Sequence, residues 1–510
     1  MDGESRTRER AALSRYLEQA RAKRSRAEDV IPLRERGVDV EATSAQQQLW
    51  LHSELASGSP IYNEPVTVQF SGELNVAAFE RAFNEILRRH EAWRTGFCWS
   101  GETLIQRVRS ELSLALPITD LRSLPERRRE PRAIQLATED AKLSFNLAQP
   151  PLLRARLVRL AEREYRLFLT LHHIIFDAYS LYQIFLPELH ACYDAFSNGT
   201  EPGLPALRAQ YPDYALWQKR SFRPSALEPH LLYWDTQLSG QLPVLRLRPD
   251  CPHLVNQTHK GAMMAFSISR NVTERLKEIG AARNATLFIM LLAAFNVLLY
   301  SETSQCDIAV GSASSSRKHP ETEKMLGYFL NTIVLRAKFS PEEHFLDLIT
   351  RVREVVIGAL SHDEVPFELL VSRFEKHRRP GVHPLFEVMF SLGPPLRHLP
   401  PGWGFTKTDV DTGAAKIDLW LDLDEREDGL SGRFFYSVDL FNELTISQLS
   451  NKWIILLDTI SNKPNESVAS LQRFLRESNL RASEVAQHVG KRSKWYAPKW
   501  ARYLWPGVGG

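Results

Sequence analysis

Two hydrophobic periods take turns along the chain. VTVQFSGEL (66–74) alternates apolar and polar residues, which predicts a strand. Asn75 then precedes VAAFERAFNEILRRHEAW, where Phe79, Phe83, Ile86 and Leu87 make one apolar stripe; that pattern predicts a capped helix. LLRARLVRL and YRLFLTLHHII predict two further strands. From about residue 260 the theme repeats, with strand MMAFSIS, a helix around TERLKEIGAARN, an apolar helix TLFIMLLAAFNVLLY, and strands DIAVGSA and LSGRFFYSV. The simplest organisation is two mixed α/β lobes, 41–221 and 259–470, joined by a Pro-rich crossover at 222–258. A site between lobes is the usual place for a ligand. Residues 1–40 begin with a charged amphipathic helix over 8–28, on which Leu13, Tyr16, Leu17 and Ala20 share a face. It reads as a leading helix packed on the body or as a docking element for a partner.

Composition narrows the classes. A formal net charge of +3 over 510 residues supplies no global field for nucleic acid. The tail at 471–510 ends in KRSKWYAPKWARYLWPGVGG, which interleaves basic and aromatic residues as single-strand binders do. It is short and alone, so a packed tail or a partner contact is the better reading. Cys98, Cys192, Cys251 and Cys306 are far apart and form no CxxC pair, which supports neither a disulfide framework nor a zinc site. The longest apolar run, Leu287 to Tyr300, falls short of a membrane span and carries Asn296, as a buried helix would. The first residues hold no apolar signal core, so a cytosolic protein is expected; a monomer is expected as well.

The candidate chemistry lies in LTLHHIIFDAYSLYQIF. A period of two puts Leu167, Leu169, Leu171 and His173 on one strand face and His172 on the other. His173 thus falls near the C-terminal end of a buried strand, a frequent place for active-site groups in α/β folds. An imidazole there can exchange a proton near neutral pH. Ser180 is expected to cap the next helix, and Asp177 to hold the loop through an arginine. Taken alone, the segment fits a pair of satisfied structural histidines better than a catalytic one.

HHIIFDA resembles the HHxxxDG signature of nonribosomal peptide synthetase condensation domains. Six more segments resemble motifs of the same family, in the same order: TSAQQQLW (43–50), RRHEAWRTGF (88–97), YPDYALWQ (211–218), VGSASSSR (310–317), LGYFLNTIVLR (326–336) and SHDEVPFELLV (361–371). With the general pattern continuing to about residue 470, the resemblance covers about 430 residues.

The resemblance implies two chloramphenicol acetyltransferase-like lobes in a V, with a tunnel between them that admits an acyl donor and an amine acceptor. It implies no permanently bound cofactor and no metal. The 4'-phosphopantetheine arm would be delivered by peptidyl or acyl carrier proteins working with adenylation or other synthetase modules. By motif match His173 is the catalytic residue and His172 is structural; Asp177 pairs with Arg317 or Arg94. Tyr179, Ser180, Asn331, Ser312 and Pro366 are candidates to line the passage. The chain departs from the family at Ala178, where glycine is usual, which puts a methyl where the arm would pass. Pro187 is expected to kink the following helix or delay its start. Ser361 stands where the family has histidine, and the SASSSR loop lacks the family's proline. An amide-forming condensation enzyme is the leading reading. A recruiting protein without activity and a coenzyme-A-dependent acyltransferase of the same fold are the rivals.

Overall fold

The computed structural model describes residues 30–477 except 57, 222–223, 246, 248, 252–257, 375–382 and 397. The helix expected over 8–28 and the tail from 478 onward lie outside the described residues.

The first half contains strands β1 (Val40–Glu41), β2 (Asn63–Ser71), β3 (Thr95–Ser100), β4 (Thr103–Val108), β5 (Ile118–Asp120), β6 (Leu153–Ala161) and β7 (Glu164–His172). Its helices are α1 (Ser44–Leu55), α2 (Val76–Arg89), α3 (Glu126–Ala141), α4 (Leu186–Ser197) and α5 (Tyr211–Ser221). The second half contains α6 (Pro224–Gln237), β8 (Gly261–Ser269), α7 (Arg270–Ala282), α8 (Leu287–Thr303), β9 (Asp307–Ser315), β10 (Leu330–Lys338), α9 (Phe345–Ser361) and α10 (Phe367–Phe374). β11 (Val388–Leu392), β12 (Trp403–Thr406), β13 (Leu419–Arg426), β14 (Gly429–Ser437) and α11 (Glu443–Asn462) follow.

Local signals explain several of these elements. The Asn75 side chain accepts the Ala78 N–H at 3.1 Å and so satisfies one of the open donors at the start of α2. The stripe of α2 then buries Phe79, Phe83, Ile86 and Leu87. α8 is apolar around its whole circumference and is buried from Ile289 to Tyr300, as expected for a helix enclosed by packing. The one strongly polar residue of that buried stretch, Asn296, donates to Leu292 O. Among the described residues no single helix is long and apolar enough to cross a membrane.

Each half builds a mixed sheet. The first has strand order β12-β2-β7-β6-β5 and the second β10-β9-β11-β13-β14-β8; β1, β4 and β3 make a small third sheet. Among the described residues two large hydrophobic cores follow, one centred in each half, beside two smaller clusters. Within the 222–258 segment, Leu227, Trp234, Leu238, Leu242 and Leu245 join the second core.

The halves are interlocked rather than merely adjacent. β12 comes from the second half of the chain but pairs antiparallel with β2, Trp403 opposite Phe70. Met325, Leu326 and Phe329 likewise pack into the first core, where the Phe329 ring meets Tyr211 and Tyr214 at 4.9 and 4.7 Å. These two crossings carry second-half side chains to the end of β7.

Candidate active site

β7 ends at His172, and His173 opens a tight 3-10 turn through Ile175. The turn is anchored across the sheet: His173 N–H donates to Tyr62 O at 2.9 Å, while β2 pairs Asn63 with His172 and Glu64 with Leu171. The two imidazoles consequently leave the strand in different directions and meet different surroundings.

His172 is buried. Its Nδ1 accepts the Ile174 N–H at 3.3 Å, so the ring proton sits on Nε2 and faces Ser53 Oγ at 3.3 Å. Tyr62 and Phe145 pack on the ring. Burial, with His173 and Lys416 nearby, pushes its proton affinity down to about 3. The residue is a neutral spacer in this structure.

His173 is half-buried. Nδ1 lies 3.0 Å from Phe176 O and must donate to it, which leaves the Nε2 lone pair available. Nε2 makes no hydrogen bond among the described residues. Phe176 stacks on the ring at 5.1 Å, and Tyr328, from the second half, meets it edge-on at 5.2 Å. Burial and then Lys416 lower its pKa from the ordinary histidine value, against the opposing pull of Glu64, the Phe176 carbonyl and Asp177. The ring is therefore a neutral base at neutral pH.

Asp177 is fully buried and its carboxylate is heavily used. Oδ1 accepts the Ser180 N–H and lies beside Ser180 Oγ, each at 2.7 Å; Oδ2 accepts the Phe329 N–H at 3.2 Å. Arg317 Nη2 bonds both oxygens. The guanidinium is sandwiched in turn, 4.0 Å from the Phe329 ring centre and 4.6 Å from that of Tyr179, and Nη1 donates to the Thr322 and Met325 carbonyls. Of the two arginines offered by the sequence, Arg317 is thus the partner. Arg94 spends its guanidinium on the carbonyls of Leu87, Arg88, Arg109 and Ser110 at the end of α2.

Several expectations are corrected here. Asp177, not Ser180, has the capping geometry, because it accepts the N–H three residues on, while Ser180 lies inside the helical run. Ser180 is 0% exposed, with Oγ 2.9 Å from Gly327 O; Ser312 is 1% exposed and donates to Phe390 O. Both hydroxyls are consumed in packing. Asn331 donates to the Asp363 and Val365 carbonyls and accepts the Phe367 N–H, so its amide holds the loop at Pro366 against β10. Tyr179 and Pro366 are half-buried. Ala178 is half-buried and is not among the positive-φ residues, so its methyl causes no backbone strain.

Pro187 stands in the first turn of α4, where a missing N–H is tolerated, so the α-helix proper begins with Leu186 and the proline. The helical run widens into a π turn over Ser180–Phe185 just before it, with Leu186 N–H reaching back to Leu181 O. A π turn displaces the carbonyls that the proline ring would otherwise strike, and such turns often sit at functional sites. It also presents Tyr182, whose hydroxyl donates to Asp424 Oδ1 at 2.9 Å on β13.

Charged groups around this junction gave no sequence signal. Lys407 Nζ lies 2.9 Å from Asp422 and 3.1 Å from Asp424; Arg433 reaches Asp422 at 3.1 Å. Lys416 pairs with Glu64 beside Tyr62. Asp422 and Arg433 are partners in the register of β13 and β14, and the chain that leaves β12 carries Lys407 to them and Lys416 to Glu64; none of this is visible as a motif.

Comparison with known proteins places this arrangement. The family model described as "Condensation domain" matches residues 38–479. One polypeptide of the linear gramicidin synthase of Brevibacillus parabrevis is 40% identical over 431 residues, which is 84% of this chain but 8% of that protein. The chain thus spans a small part of the synthetase it resembles. Among solved structures, the first condensation domain of the calcium-dependent antibiotic synthetase, in complex with substrate analogue 3a, superposes with a TM-score of 0.75. It is 19% identical and covers 85% of this chain and 99% of that one. The X-domain from teicoplanin biosynthesis superposes with a TM-score of 0.73 at 24% identity, covering 87% and 99%. At these identities the two structures establish the shared chloramphenicol acetyltransferase-like fold.

Proposed function

The chain belongs to the condensation-domain family of nonribosomal peptide synthetases, and from that premise we propose that it joins a carrier-bound acyl or aminoacyl thioester to an amine, with His173 as the proton acceptor. The observation that supports this reading is the state of one ring: His173 is half-buried, its Nδ1 is committed to Phe176 O, and its Nε2 lone pair is uncommitted among the described residues.

The thioester is already activated, and an amine with a pKa near 8 has a useful neutral fraction at pH 7. A strong base is therefore unnecessary. As nitrogen attacks the carbonyl carbon, its proton passes to Nε2; the C–S bond then breaks and the imidazolium returns the proton to the thiolate, releasing a thiol and an amide. Asp177 and Glu64 favour the transient imidazolium, whereas burial and Lys416 disfavour it, so the ring accepts a proton readily and also gives it up. General-base help of this kind is worth about 10²–10⁴-fold. Orienting the two tethered reactants contributes separately, since effective molarities reach about 10⁵ M or more.

The 4'-phosphopantetheine arm belongs to the carrier partner and is a substrate here. Ala178 and Tyr179, half-buried immediately after Asp177, are the residues of the motif best placed to meet it. The test supplies a loaded donor carrier protein with an amine acceptor and follows the amide by mass spectrometry, beside His173→Ala. Product from the wild type that falls about 10²–10⁴-fold in the variant supports the reading. Carrier binding without product would select a recruiting role, and product from acyl-coenzyme A alone would select the acyltransferase.

A further inference from the structure

One ion pair beside the imidazole touches neither reactant in that scheme and acts only through the ring. Glu64 stands on β2 opposite Leu171, two residues beyond Tyr62, whose carbonyl receives the His173 N–H at 2.9 Å. Lys416 comes from the segment that leaves the first sheet after β12 and enters the second at β13. Its ammonium pairs with Glu64 and lies 5.4 Å from the centre of the Tyr62 ring and 5.2 Å from that of Trp420. The two side chains are 19% and 14% exposed, so water screens them weakly. One charge is therefore built into the strand that anchors His173, and the opposite charge arrives from the other lobe.

We propose that the Glu64–Lys416 pair is a positioning device for His173: it clamps the returning segment onto the anchoring strand and balances the field at the ring with two opposed charges. The inference rests on the reading of His173 as the reactive imidazole.

The electrostatics agree in sign. After burial, Lys416 is the largest influence lowering the proton affinity of His173, and Glu64 is the largest raising it. Burial alone would push the Glu64 carboxyl up. Lys416, with His173 and Arg433, outweighs it and holds the group at about 2, so Glu64 stays charged throughout the working range. The other groups acting on the ring are His172 on β7, Asp177 after the turn and Tyr328 from the second half; Tyr62 meets only the His173 backbone N–H, and Arg433 stands behind Glu64. All of them remain in the variants below.

The pair makes an unusual demand: its two members must shift His173 in opposite directions. The ring titration is followed by NMR in the full chain carrying ¹⁵N-histidine, with the resonance assigned through His173→Ala. Lys416→Met should raise the His173 pKa, and Glu64→Gln should lower it. The double variant should return close to the wild type, and Lys416→Arg should leave it nearly unchanged. The acid limb of the pH–rate profile should move the same way. Shifts of the same sign, or none, overturn the proposal. Should Lys416→Met fail to fold, Glu64→Gln decides alone, and no downward shift overturns it. The titration needs no substrate. A protein that makes no amide but shows the opposed shifts retains this inference and loses the function, and amide formation without the shifts does the reverse.

Discussion

Arg317 Nη2 bonds both carboxylate oxygens of Asp177, at 2.9 and 3.1 Å, although 140 residues separate the two in the chain. The Asp177 and Arg317 side chains are 0% and 4% exposed, so neither ion has water to fall back on. Removing one partner of a buried pair costs about 3–5 kcal/mol, because the other charge is stranded. Asp177→Ala and Arg317→Ala should each lose about that much stability in urea unfolding. The double variant should lose less than the sum, since the second change removes the stranded charge. An Asp177→Ala protein that unfolds at the wild-type urea concentration would contradict the account.

His172 links stability to pH. It is held neutral down to about pH 3 in the folded chain but takes a proton near 6.5 once unfolded. Between those values the unfolded state binds more protons, so stability is fully present above about pH 6.5 and declines as pH falls toward 3. Glu64, held at about 2, adds a loss in the same direction below about pH 4.5. Urea midpoints measured at pH 7.5, 6.5, 5.5 and 4.5 should fall steadily below 6.5. His172→Asn should flatten that slope between 6.5 and 4.5; an unchanged slope would remove His172 as its source.

Ala178 gives the third prediction. Because its φ is not positive and it opens the helical run after Asp177, glycine there gains nothing from conformational freedom. Ala178→Gly should destabilise the chain by about 0.5–1 kcal/mol through the unfolded-state entropy that glycine adds. A carrier-dependent turnover that rises in Ala178→Gly despite the lost stability would locate the arm's path beside this methyl; unchanged turnover would place the path elsewhere.

Local pattern made much of this molecule legible. The periods of two and 3.6 marked β2, α2, β6, β7, β9 and β14, because each element buries a face and the burial writes a repeat into its own residues, while an unbroken apolar run marked α8. The same logic put His173 at the end of a buried strand and Asp177 in the turn after it. What a residue does once buried was less legible. Ser180 and Ser312 look like passage residues in one dimension, yet their hydroxyls serve Asp177, Gly327 and Phe390.

The order of strands and helices, the family and the short segment in which the chemistry is sought all follow from the linear chain. Three-dimensional packing alone selected Arg317 over Arg94 as the partner of Asp177, and gathered Glu64, Lys416, Tyr62 and Tyr328 around one histidine. The reason is physical. Periodicity records what each element buries locally, whereas these contacts depend on where β12 and the 325–329 segment cross into the first lobe. Such crossings are settled by packing between distant stretches of chain, and no single stretch carries their trace.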